Sequence, residues 1–183
     1  MSRRRKVELL GCGLSIGDIP SFDPGAERWG LNDLIFRRFA GDFTEWTRWF
    51  DLHPTWWIQE KRPAAYDWYR QQTKPIYRLA ADPALPSCCV YPRERIQTAT
   101  EREFAGSLCW MLALAIHEGF DAIDLFWFTL DGTDPFYKIQ VDSAKYWIGF
   151  ARGRGIEVTI HGDSALKPTG PVYGYEIIDG VRV

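Results

Sequence analysis

Residues 104 to 132, FAGSLCWMLALAIHEGFDAIDLFWFTLDG, constrain the fold more than any other part of the chain. From Leu108 to Ile116 the side chains are apolar on every side, the pattern of a helix without a solvent face. Gly106 and Ser107 stand where N-terminal cap residues belong, and Gly119 where a helix stops. Asp121 to Thr129 then alternates weakly and ends in the solid run LFWF, as a strand covered on both faces does. Asp131 and Gly132 close it. A buried helix followed at once by a doubly covered strand is half of a βαβ unit, and such a unit calls for a sheet with layers on both sides.

The rest of the chain reads as more of the same. Lys6 to Leu10 (KVELL) and Glu27 to Leu31 (ERWGL) are short strands, and Leu34 to Phe39 a short helix. Trp46 to Leu52 has the aromatic character of a strand, stopped by Pro54. Pro63 opens a helix to Gln72. Pro75 to Leu79 and Cys88 to Tyr91 are further strands. Thr98-x-x-Glu101 and Thr100-x-x-Glu103 are capping-box patterns, so the buried helix begins near Thr100 or at Ser107. Thr133 to Tyr137 reads as a loop. Asp142 or Ser143 caps a helix from Ala144 to Arg154, and Ile156 to Ile160 is the last buried strand. Asp179-Gly180 between apolar runs signals a C-terminal hairpin. The expected fold is α/β, a single Rossmann-like domain over 1–183. Its core spans 7–165, with a hairpin extension at 166–183 and a mostly parallel sheet covered by helices on both faces.

In open sheets of this kind ligands bind beyond the carboxyl ends of the strands. The polar residues that stand out all fall there. Gly11, Gly13 and Ser15 follow the first strand, where glycines permit a tight turn and free N–H groups can cradle phosphate. Asn32 and Asp33 end the second. Asp51 and His53, two apart, point the same way from the end of the third; a carboxylate there can orient an imidazole as a base. Gly106 and Ser107 open the buried helix, Asp131 follows its strand, and His161 to Ser164 follow the last. Gathered at one edge, these groups form one pocket that favours an anionic ligand. Each also has a plain structural reading as a turn, a cap or a strand-end pair.

Composition bounds the partners. A net charge of −2 gives no global attraction to nucleic acid or an anionic membrane, and no apolar run approaches the roughly 18 residues of a membrane span. The Arg3-Arg4-Arg5-Lys6 block reads as a solvated lead-in to the first strand. Cys12, Cys88, Cys89 and Cys109 have no zinc spacing and no secretory segment before them. They are expected to be reduced core thiols in a cytoplasmic protein. A homo-oligomer is compatible with all of this.

GCGLSIGDIP after the first strand, then WGLND, then AGS heading an apolar helix, then GFDAIDLFWFTLDG, resemble the motif order of the MptE-like group. That group holds archaeal 6-hydroxymethylpterin diphosphokinases and motility-accessory-factor glycosyltransferase-like proteins. Single-domain bacterial sialyltransferases show a similar order, and small relatives carried by bacteriophages are similar in length, which for a phage-encoded chain implies the host cytoplasm. The resemblance covers about residues 7 to 165 and implies a nucleotide site. Gly11, Gly13 and Ser15 would line phosphates, Asn32 would contact ribose or phosphate, and Gly106 and Ser107 would donate from a helix N-terminus. Asp131 would stand for the group's strand-end Asp. Leu14 replaces the group's Pro, Ala105-Gly106-Ser107 its Thr-Ser-Gly, and Thr129 a Gly.

Two reactions fit that resemblance. In a glycosyltransferase-like reaction a nucleotide sugar is the donor, no metal is required, and His53 or His161 is the base. In a diphosphokinase-like reaction Mg²⁺ bridges ATP phosphates, and Asp51 or Asp131 helps hold it. A protein that sequesters a nucleotide without turnover, and an interaction protein that uses surface Trp and Tyr, are the non-enzymatic alternatives.

Overall fold

The computed structural model describes residues 4–13, 21–97, 103–132, 135–170, 177–178 and 181–182. Seven strands form one sheet: β1 (Lys6–Leu10), β2 (Glu27–Leu31), β3 (Arg48–Phe50), β4 (Ile76–Arg78), β5 (Cys88–Val90), β6 (Ala122–Phe126) and β7 (Glu157–Ile160). Their order is β5-β4-β3-β2-β1-β6-β7, and every pairing is parallel. The expected Rossmann-like α/β architecture is therefore present. From β1 the chain builds outward through β2 to β5, then returns to place β6 on the other side of β1. The gap between the carboxyl ends of β1 and β6 is the topological switch point, where such sheets open a crevice.

The period of two along each strand divides the core. Val7 and Leu9 of β1, with Ile123 and Leu125 of β6, face α5 (Ser107–His117) and α6 (Pro135–Gly153). Leu10 and Phe126 face the opposite layer, where α1 (Leu34–Arg38), α2 (Thr55–Lys61) and α3 (Pro63–Arg70) bring Leu34, Ile35, Ile58 and Tyr69. Both faces of β6 are thus buried, which accounts for its unbroken apolar run. A shorter helix, α4 (Arg93–Ile96), follows β5. The antiparallel pair β8 (Ile177–Ile178) and β9 (Val181–Arg182) supplies the expected hairpin.

Several local expectations are corrected. The LFWF run leaves the sheet after Phe126, because Trp127 turns the chain with a φ of 60°. Thr133–Tyr137 is not wholly loop: Pro135 starts α6, consistent with the preference of proline for a first turn. Asp142 and Ser143 therefore lie inside α6 and cap nothing. Ser143 is buried; its hydroxyl donates to the Glu103 carbonyl and accepts from Ala105 N–H, tying down the segment that enters α5. Helix α5 starts at Ser107; Thr98 and Thr100 lie outside the described residues. Among the described residues no helix is long and apolar enough to cross a membrane.

Candidate active site

A crevice of about 1020 Å³ opens at the switch point. Its walls are the segments that leave the strands at their carboxyl ends: Cys12 and Gly13 after β1, Asn32 and Asp33 after β2, His53 after β3, and Trp127 to Gly132 after β6. The first turn of α5, Gly106 and Ser107, faces in from the side. Gly13, Asn32, Asp33, His53, Gly106, Ser107 and Asp131 thus share one cavity.

Four sequence candidates stand elsewhere. Ser15 lies outside the described residues. Gly11 is not on the crevice wall; its N–H donates to Phe126 O at 2.8 Å. Gly13 N–H is likewise taken by Trp127 O at 2.8 Å. The expectation that these two N–H groups cradle phosphate is therefore replaced by a steric role. A Cβ on Gly11 would meet Trp127 O at 2.6 Å, and one on Gly13 would meet the same oxygen and Thr129 Oγ1. The glycines let the β1 turn close against the β6 exit. Asp51 is fully buried and meets the crevice wall through His53 and through Arg62, whose Nη1 lies 3.8 Å from Asp51 Oδ2. His161 is not in the crevice: its ring stacks on Phe126 at 4.1 Å, and its Nε2 lies 3.2 Å from Asp124 Oδ2 of β6.

Backbone strain concentrates at the crevice. Four described non-glycine residues have positive φ, and Asn32 (49°), Trp127 (60°) and Leu130 (48°) line it. Such conformations persist only where the surroundings over-determine them. Asn32 shows how. Its N–H donates to Phe50 O (2.8 Å), and its carbonyl accepts from Trp49 Nε1 (2.8 Å) and Tyr69 OH (2.9 Å). With the backbone held at three points, the carboxamide is committed to the wall, and its Oδ1 is buried with no hydrogen-bond partner. Asp33 Oδ1 and Arg62 Nη1 on the same wall are buried without one too, and have only ion contacts at 3.8 Å, to Arg62 Nε and Asp51 Oδ2 respectively. Buried orphans of this kind carry a desolvation cost that a bound polar ligand removes.

Asp51 and His53 form a pair. His53 Nδ1 lies 2.7 Å from Asp51 Oδ1, and Tyr69 OH donates to Asp51 Oδ2 at 2.9 Å. A carboxylate only accepts, so in the neutral imidazole the proton sits on Nδ1 and Nε2 keeps its lone pair. The His53 ring stacks on Trp57 at 4.3 Å, and the Arg62 guanidinium lies over the indole at 4.7 Å. Burial, then the Asp51 charge, holds the Tyr69 phenol well above its ordinary range, so it stays a donor. Burial likewise pushes the Cys12 thiol up to about 12, so this crevice thiol is not a nucleophile near neutral pH.

On the β2–β3 side Arg37 and Arg62 flank Asp33, at 2.9 and 3.8 Å, while the exposed Asp131 and Asp163 lie on the β6–β7 side. Between them the N-terminus of α5 carries the positive end of an eleven-residue helix dipole with no side-chain cap. The two carboxylates considered for Mg²⁺ differ in setting. Asp51 is enclosed by His53 and Tyr69, whereas Asp131 is exposed on the rim, and among the described residues no three His, Cys, Asp or Glu side chains cluster as a metal site.

Sequence reasoning missed Arg37, Arg62, Trp57 and Asn32's unusual backbone. Arg37 is the (i, i+4) ion-pair partner of Asp33 at 2.9 Å, a spacing visible in the sequence. Arg62 falls between two helices of which only the second was expected.

By sequence the chain matches no protein-family profile and no characterised protein. By fold it is similar to the sialyltransferase CstII from Campylobacter jejuni in complex with the substrate analogue CMP-3FNeuAc, at a TM-score of 0.58 and 14% identity, over 85% of this chain and 79% of that one. The same enzyme with cytidine-5′-monophosphate aligns at a TM-score of 0.54 and 13% identity, over the same shares. At such identities the likeness is one of fold.

Proposed function

We propose that the crevice binds a nucleotide sugar and transfers its glycosyl group to an acceptor hydroxyl, with His53 as the base. The observation that carries this reading is the placement of an oriented imidazole, an uncapped helix N-terminus and unsatisfied polar atoms on strand ends around a single switch-point cavity. The fold likeness to an enzyme seen with CMP-containing ligands supports the choice of donor.

The chemistry follows from the groups present. His53 Nε2 takes the acceptor proton as the acceptor oxygen forms its bond to the anomeric carbon. The bond from that carbon to the phosphate oxygen breaks, and the departing nucleotide phosphate keeps the electron pair. Asp51 stabilises the imidazolium formed. The negative charge that develops on the phosphate is met by the N–H groups and hydroxyl at Ser107 and by the nearby guanidinium groups. Asn32 and Asp33 offer acceptors to ribose hydroxyls, in line with the acidic residue that ends the second strand of nucleotide-binding sheets.

The test is a thermal-shift screen with nucleotides and nucleotide sugars. A ligand that binds the native state raises the melting temperature with concentration. Saturable stabilisation by one nucleotide class, needing about tenfold more ligand in Asn32→Gly, is the expected result. Absence of any shift at millimolar ligand refutes the reading.

A further inference from the structure

The imidazole of His53 is held from behind by a side chain that takes no part in the crevice wall. Arg78 ends β4 and is only 2% exposed. Trp49 pairs with Ile76 and Phe50 with Tyr77, so Asp51 and Arg78 are successive neighbours on adjacent parallel strands and share a sheet face. Arg78 Nη2 donates to two acceptors, His53 O at 3.1 Å and Thr55 Oγ1 at 3.1 Å. Thr55 Oγ1 in turn donates to Asp82 Oδ2 at 3.0 Å, and Asp82 also accepts from Tyr66 OH and Ala84 N. One guanidinium nitrogen therefore ties both ends of the His53-Pro54-Thr55 turn, which carries the chain from β3 into α2.

This is a costly way to fill a core position. Arg78 Nε and Nη1 are buried and have no partner. A buried donor left unpaired costs free energy, and a well-packed apolar side chain commonly serves stability as well or better. Neighbouring core positions on the same face are met by Trp49, Ile58 and Ile76. Arginine is distinguished from them by a rigid fork that can hold two acceptors in fixed relation, and by a permanent charge on the face shared with Asp51. Both properties act on the turn and the carboxylate that orient His53.

We infer that Arg78 is a positioning residue: it fixes the His53–Thr55 turn so that Nδ1 meets Asp51 and Nε2 faces the crevice. The inference rests on the reading of His53 as the base, yet its test needs no substrate. The chain has three histidines, so selective ¹⁵N labelling gives a short, assignable set of imidazole signals, with a His53→Gln variant identifying those of His53. In the wild-type protein His53 Nδ1 gives the protonated signal and Nε2 the unprotonated one. Arg78→Gln and Arg78→Lys are then compared; Lys keeps the charge and much of the side-chain length but cannot hold both acceptors in the same geometry.

The expected result is that His53 moves toward the exchange-averaged tautomer mixture in both folded variants, less in Arg78→Lys, while His117 and His161 keep their wild-type signals. If Arg78→Gln does not fold, the shift in Arg78→Lys decides. His53 signals unchanged in a folded variant overturn the inference and reduce Arg78 to a structural residue. Failure of every nucleotide to bind would instead overturn the proposed reaction and leave the tautomer result standing.

Discussion

Asp51→Asn separates the geometry of the site from its charge. In the wild-type protein the buried carboxylate accepts at both oxygens, from His53 Nδ1 at 2.7 Å and from Tyr69 OH at 2.9 Å. An amide offers one acceptor and one donor. If its oxygen faces His53, its NH₂ faces the Tyr69 oxygen, and the phenol proton still has Asn32 O at 2.9 Å to bond. The hydrogen bonds to His53 and Asn32 are then still made, but the charge that steadies the imidazolium and faces Arg62 Nη1 at 3.8 Å is gone. If the amide turns the other way, its NH₂ donates to Nδ1, the proton moves to Nε2, and the base is lost. A charge-assisted hydrogen bond contributes about 1.5–3 kcal/mol against about 1 for a neutral one, so stability should fall by roughly 1–2 kcal/mol. For a chain of this size that is a drop of about 2–8 °C in melting temperature. Turnover should fall much further, by about 10²–10⁴-fold, the range for removing a general base or its orienting carboxylate. The assay follows nucleotide release from a nucleotide sugar with and without acceptor, beside a titration of nucleotide binding. We predict a lower kcat with nucleotide affinity within about twofold of wild type. A variant that keeps its turnover within a few-fold while folding normally would refute the role given to the Asp51–His53 pair.

Other variants probe other parts of the account. Asn32→Gly relieves a φ of 49° and deletes the carboxamide, so nucleotide affinity should fall about tenfold, one lost hydrogen bond's worth, with little change in stability by calorimetry. Gly13→Ala drives a Cβ into Trp127 O and Thr129 Oγ1, and should cost about 1–3 kcal/mol in denaturant unfolding while displacing the crevice wall. His161→Ala removes a ring that packs on Phe126 outside the crevice, so turnover should hold while the melting temperature falls. Burial raises the Cys12 thiol to about 12 and raises the Tyr69 and Tyr91 phenols. The folded state thus keeps protons that the unfolded chain releases above pH about 9 for the thiol and 10 for the phenols. Their stabilising contribution is complete below pH 9 and is lost as pH rises toward the folded values, which melting curves between pH 8 and 11 will register.

Strands β1 and β2 were legible to the residue: each is a five-residue run that ends apolar, KVELL and ERWGL, closed at once by Gly11 or Asn32. Strand β3 is shorter than its aromatic run: Trp46 is buried beside Trp49 and Trp68 without joining the ladder, so aromatic character overstated the strand. Helix α2 was invisible because TWWIQEK buries only Ile58 and shows no apolar period. Much of the candidate site could be read because a parallel sheet sends every strand end to one edge. The difference between His53 and His161 could not. Both follow strands, but the side chain of His161 packs back on Phe126 and Asp124 of the neighbouring strand instead of entering the crevice, and only the pairing of β7 with β6 reveals that. Arg78 was hidden for a related reason: within PIYRL it reads as a solvent-facing charge, whereas α2 and the 79–85 turn enclose it.

The most direct test of the central claim is a crystal structure of the protein with a bound nucleotide. The account predicts a phosphate at the first turn of α5 beside Ser107, ribose hydroxyls on Asn32 and Asp33, and the reacting end within reach of His53 Nε2. A nucleotide seated anywhere else on the molecule, with the switch-point crevice occupied only by solvent, would contradict it.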